Sequence, residues 1–154
     1  MKEADEDNKG RSEARPPTGL EDLRVNVKYK LSGLWAAVMF IFIYVDHLAL
    51  FIPGLLEDII TGDFPLGSQG MLWAAMVMMT IPALMIFLSL ELRADINRRL
   101  NIVVGVVYFI IVLSNTVGET WAFYAFGSLV EAGLLFLIIW NAWNWPVREI
   151  AARK

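Results

Sequence analysis

Three ionisable side chains stand inside long apolar runs: Asp46 and His47 in LSGLWAAVMFIFIYVDHLALFIP, and Glu131 in WAFYAFGSLVEAGLLFLIIWNAW. An ionised side chain at the centre of a membrane span costs about 3 kcal/mol on insertion scales, so each of them calls for a reason. Two carboxyl groups and an imidazole form a set suited to holding a cation or passing a proton, because carboxylates attract positive charge and imidazole exchanges a proton near neutral pH. At 1.5 Å per residue, Asp46 is expected roughly 10 Å below the end of its helix and Glu131 roughly 15 Å below the end of its own, at similar depth.

Residues three, four and seven apart share a helical face. Tyr124, Gly127, Ser128 and Glu131 therefore form a small, polar stripe, and Asn101, Gly105, Tyr108 and Asn115 follow the same spacing in the preceding run, while Thr80 stands just before Pro82. Facing stripes would give a helical bundle an off-centre polar interior that opens toward one side of the membrane. The expected ligand- or proton-binding set is Glu131, Asp46, His47, Tyr108, Asn115, Tyr124 and Ser128. Small and hydroxyl residues also allow helices to approach closely in lipid, and packing alone accounts for Gly105, Gly127, Ser128 and Thr80. Glu131 is harder to assign to packing. Asp46 stands evenly between a functional role and a structural one, in which it pairs with His47 or reaches toward water. A single histidine leaves a metal shell incomplete, so His47 is expected as a hydrogen-bonding partner and no metal site is expected. Met71, Met76, Met78 and Met79 do not share one face and are expected to fill gaps between helices rather than bind copper. With no cysteine, one histidine and no phosphate-binding loop, nucleophile elbow or HExxH pattern, no cofactor is expected and no catalytic residue is singled out.

The elements that would position these residues are helices of membrane-crossing length. The 154 residues are 57% hydrophobic, with a mean hydropathy of +0.54, too apolar for a soluble domain of this size. The expected fold is all-α, a bundle of four transmembrane helices spanning about 31–53, 70–89, 101–117 and 121–143 within a domain of residues 29–146. Residues 1–28 are expected as a disordered, charged tail and residues 147–154 as a basic tail. The acidic start and long first apolar run differ from a signal peptide, so the first helix is expected to be retained. LLEDII, in the longest connection, is expected to form one or two amphipathic turns at the surface.

Orientation follows from the lysines and arginines, which concentrate in cytoplasmic segments. All thirteen fall before the first span (Lys2, Lys9, Arg11, Arg15, Arg24, Lys28, Lys30), between the second and third (Arg93, Arg98, Arg99) or after the fourth (Arg148, Arg153, Lys154). The other two connections hold Glu57, Asp58, Asp63 and Glu119 instead. Both termini are thus expected in the cytoplasm, with the chain multi-pass in the cell membrane and the polar interior opening outward. The six tryptophans fall near expected span ends, as indole rings at headgroup level do. The net charge of -3 argues against nucleic acid; the expected partners are the lipid bilayer and either a second copy of the chain or a membrane subunit.

The stretches VKYKLSGLWAAVMFIFIYVD with the following IPG, IPALMIFLSLEL, INRRLNIVVGVVY and FYAFGSLVEAGLLFLIIWNAWNWP resemble a family of uncharacterised prokaryotic four-helix integral membrane proteins, a domain of unknown function. The resemblance covers nearly all of residues 25–146, including Asp46 and Glu131. It implies the four-helix architecture and no activity. Three functions fit the residues: a binding or transport protein with a polar pocket, first in order; a structural or assembly subunit of a membrane complex; and an intramembrane lipid-modifying enzyme using Glu131, Asp46 and His47 as acid and base.

Overall fold

Every apolar run forms a helix, and the first three long helices each begin or end outside the run that announces them. The computed structural model describes residues 25–62 and 68–146. Its elements are α1 (Val27–Ala49), α2 (Leu55–Thr61), α3 (Gln69–Glu91), α4 (Ala94–Thr116) and α5 (Ala122–Trp143). Residues 1–24 and 147–154 of the expected tails, and residues 63–67, lie outside the described residues.

α1 starts four residues before its apolar run because Asn26 caps it, its side-chain oxygen accepting from the Lys28 N–H at 3.0 Å. The helix stops at Ala49 rather than Pro53. Proline has no N–H to offer the Ala49 carbonyl, which accepts from the Ile52 N–H instead, at 3.0 Å. α4 likewise begins at Ala94 and not at 101, so the charged segment ADINRR forms its first turns. Hydropathy marks the apolar length of a helix, whereas helical hydrogen bonding continues past it into polar residues. Only Leu92 and Arg93, both extended, separate α3 from α4. α2 is the short helix expected from LLEDII; it has no buried residue and is bounded by Gly54 and Gly62, with φ of 87° and 82° that suit glycine.

The four long helices run alternately up and down. Lys28, at the start of α1, donates to the carbonyls of Leu90 (3.0 Å) and Leu92 (2.7 Å) at the end of α3. Arg98, at the start of α4, donates to the Trp143 carbonyl (3.1 Å) at the end of α5. Both cations cap helix C-termini, where unpaired carbonyls and the helix dipole favour positive charge. This end of the bundle is basic; the opposite end carries α2 and Glu119. Lys28 therefore belongs to the helical domain rather than to the tail expected at 1–28.

α1 lies between α3 and α5, α4 packs along α5, and α4 meets α3 along a thinner seam. Two glycines permit the closest approaches. A Cβ at Gly105 would come within 2.9 Å of Ile139 Cγ1, and one at Gly127 would overlap the Val45 side chain. The small residues thus pack α4 on α5 and α5 on α1, as expected of helices that associate in lipid. Leu31, Trp35, Val38, Met85, Leu135 and Ile138 form the buried centre. Trp35, fully buried, is the exception to the expected headgroup placement, whereas Trp73, Trp121, Trp140 and Trp143 are exposed.

Large apolar side chains cover the outside, among them Phe40 and Ile43 on α1, Phe87 on α3, Ile110 on α4 and Leu129 on α5. All four long helices are long and apolar enough to cross a membrane. Such a surface, apolar all round, points to a membrane protein.

Candidate functional site

A cavity of about 100 Å³ lies among the four long helices in the half of the bundle nearer the acidic end. α1 contributes Phe42, Val45 and Asp46; α3 contributes Met78 and Met79; α4 contributes Tyr108, Ile111, Val112 and Asn115; α5 contributes Tyr124, Ser128 and Glu131. Its volume would hold about three waters at ~30 Å³ each. The helical spacing explains the set. Tyr124, Ser128 and Glu131 share a face of α5, Tyr108 and Asn115 a face of α4, and Phe42 and Asp46 are one turn apart on α1.

Glu131 sits deepest of the acids, with only 5% of its surface exposed. No hydrogen bond or ion pair joins its carboxyl group to another described residue, and no Lys, Arg or His among the described residues lines the cavity. Asp46 lies at the rim, where it is exposed. Asp46, Glu131 and the half-buried Tyr124 line the same cavity. Asn115, also exposed, completes the rim, and Ser128 lies buried beside Glu131. Two carboxyl groups in one cavity with no facing base among the described residues are electrostatically incomplete, a condition that a proton or a cation relieves.

Tyr108 has a second task. Its hydroxyl donates to the carbonyl of Met78, four residues before Pro82. That carbonyl would accept from residue 82 in an unbroken helix, and proline has no N–H to give. Tyr108 supplies the missing donor from α4, and so lets α3 carry a proline within its length. Its ring stands edge-on to Trp35, 6.3 Å between centroids and 87° between planes. The hydroxyl of Tyr108 is therefore committed, and its ring forms a wall of the cavity.

His47 does not reach the cavity. Its ring is exposed and meets Phe51 edge-on at 5.7 Å. The geometry gathers Glu131, Asp46, Tyr108, Asn115, Tyr124 and Ser128, and leaves His47 outside. Six apolar lining residues stood outside the expected set: Phe42, whose spacing of one turn from Asp46 was the available signal, Val45, Ile111 and Val112, and Met78 and Met79, which were expected only to fill gaps between helices.

Asn101, in line with Tyr108 and Asn115 along α4, lies instead in a closed network toward the basic end. Its side-chain oxygen accepts from Trp35 Nε1 at 2.7 Å and from the Ser89 hydroxyl at 3.3 Å, while its amide donates to Asn97 Oδ1 at 2.6 Å. Asn97 in turn donates to the Ser89 carbonyl at 2.6 Å. Trp35, Ser89, Asn97 and Asn101 are all fully buried. With Val38, Met85, Leu135 and Ile138 packed above it, the network floors the bundle and separates the cavity from the basic end.

Fold and site define an all-helical protein with four helices of membrane-crossing length around a carboxyl-lined cavity. More particularly, the chain belongs to the family of unknown function DUF6326, whose sequence model matches residues 21–152. No curated protein and no solved structure matches the chain.

Proposed function

We propose that this is a small binding or transport protein of the cytoplasmic membrane, with both termini in the cytoplasm, that takes up a proton or small cation at Glu131 from the outer side. The observation that carries the reading is Glu131, 5% exposed within the bundle, whose side chain lines a cavity and has no hydrogen bond or ion pair to another described residue. A carboxylate retained in a span for structure would be paired or hydrogen bonded. Asp46 at the rim adds negative potential along the entry path. The positive-inside bias supports the orientation, with Lys28, Arg93, Arg98 and Arg99 at one end and Glu57, Asp58 and Glu119 at the other.

The chain contains no cysteine, so single cysteines report orientation without background. Ile60→Cys in α2 should react with an impermeant maleimide added outside intact cells, and Glu91→Cys should not. The opposite pattern overturns the orientation.

Glu131→Gln and Asp46→Asn test the site in proteoliposomes. Both should reduce cation- or proton-coupled flux, and its change between pH 5 and 8, while Glu131→Gln leaves thermal stability within about 0.5 kcal/mol, since no partner is lost. Flux and pH response unaltered by both substitutions, or a large loss of stability in Glu131→Gln, would show a structural carboxylate instead.

A further inference from the structure

At the basic end of the bundle, the first turns of α4 carry Asp95, Arg98 and Arg99, with Arg93 as the residue before the helix. Asp95, Arg98, Arg99 and Ile102 line one open pocket of about 270 Å³. Their spacing of three, four and seven residues puts them on one helical face. Arg98 is held toward α5, donating to the Trp143 carbonyl at 3.1 Å, and its other N–H donors stay free. The side chains of Arg99 and Asp95 have no hydrogen bond or ion pair to another described residue, although they stand four residues apart, a spacing at which acid and base can pair on a helix. The pocket thus keeps two guanidinium groups against one carboxylate, beside the positive end of the α4 dipole.

We propose that this pocket binds the phosphate of an anionic phospholipid, with an acyl chain running past Ile102 along the exposed apolar side of α4. The site is separate from the Glu131 cavity and does not depend on how that carboxylate is read; it rests on α4 and α5 lying in the bilayer. The planar fork of arginine matches phosphate oxygens, and Arg99 brings one that no other group occupies. The charges select the head. A lipid with one net negative charge neutralises the pocket, whereas a zwitterionic lipid leaves the surplus cation in place. The position selects a lipid over a soluble phosphate: one turn beyond Arg99 the surface turns apolar, with Val103 and Val106 exposed. Trp140 and Trp143, at the same end of α5, are exposed as well, as indoles at headgroup level are. Basic pockets between spanning helices are sites where anionic heads bind.

The test is lipid titration of the full-length protein in detergent, read by native mass spectrometry and by thermal unfolding. The probe is phosphatidylglycerol, with phosphatidylcholine and phosphatidylethanolamine as zwitterionic controls. One phosphatidylglycerol should be retained per chain and should raise the unfolding temperature; the controls should do neither. Arg99→Gln should weaken its binding about fivefold to tenfold, the scale of one arginine at an anionic lipid. Because Arg99 has no partner to lose, the same variant should unfold as the parent does when no lipid is added. Arg93→Gln removes an equal charge at the same end but outside the pocket, and should weaken binding less than about twofold.

Equal losses in Arg93→Gln and Arg99→Gln would show diffuse attraction to a basic surface and overturn the pocket. Equal retention of phosphatidylglycerol and phosphatidylethanolamine would overturn the choice of an anionic head. Displacement of the lipid by millimolar inorganic phosphate at constant ionic strength would assign the arginines to a free anion and overturn the lipid.

Discussion

The Tyr108 hydroxyl donates to the carbonyl of Met78, the oxygen in α3 that Pro82 deprives of its helical N–H. One side chain thereby repairs a helix, ties α4 to α3 and walls the cavity. Tyr108→Phe should destabilise the protein by about 1 kcal/mol, the scale of interhelical hydrogen bonds in membrane proteins. Pro82→Ala restores the N–H within α3, so in that background Tyr108→Phe should cost much less. The coupling is read from a double-mutant cycle of reversible unfolding in mixed micelles. An equal cost in both backgrounds would mean that the hydroxyl does not stand in for the missing donor.

Asn101 joins three partners in a region without exposure. Asn101→Leu leaves the Trp35 Nε1–H and the Ser89 hydroxyl without their acceptor, and should cost about 2 kcal/mol through the stranded buried donors. Trp35→Phe should lose less through hydrogen bonding, since Ser89 still serves the Asn101 oxygen. The same unfolding measurement checks both. Little loss in Asn101→Leu would mean that the network relaxes rather than floors the bundle.

Gly127 lies against the Val45 side chain, whereas a Cβ at Gly133, further along α5, would meet nothing within 4 Å. Gly127→Ala should therefore destabilise by about 1–3 kcal/mol through overpacking, and Val45→Ala in the same chain should recover most of that loss. Gly133→Ala should be neutral or slightly stabilising, because alanine is the better helix former. Thermal unfolding of the three variants in detergent separates steric conflict from helix propensity.

The helical faces were legible in the sequence because the 3.6-residue period is local. The spacing of Tyr124, Ser128 and Glu131 put them on one side of α5, and each apolar run announced its helix. Periodicity does not state what a face meets or how far along the bundle it meets it. Asn101 and Asn115 belong to one stripe of α4, yet the first closes a buried network and the second lies at the rim of the cavity. Asp46 and His47 are neighbours in the chain, but successive residues on a helix are about 100° apart. One faces the cavity and the other meets Phe51 outside it.

Trp35 shows the same limit in a different form. Its position near the end of an apolar run fitted a headgroup anchor, and the residue is instead fully buried against Asn101, 66 positions along the chain. By itself the sequence determined which segments are helical, which residues share a face and where charge collects, all of them consequences of local geometry and composition. Only the tertiary structure decided that Tyr108 answers Pro82, that Asn101 leaves the polar stripe and that Glu131 has no partner among the described residues. Each of those facts depends on the angle and depth at which separate helices pack, and packing is set jointly by side chains distant in the chain.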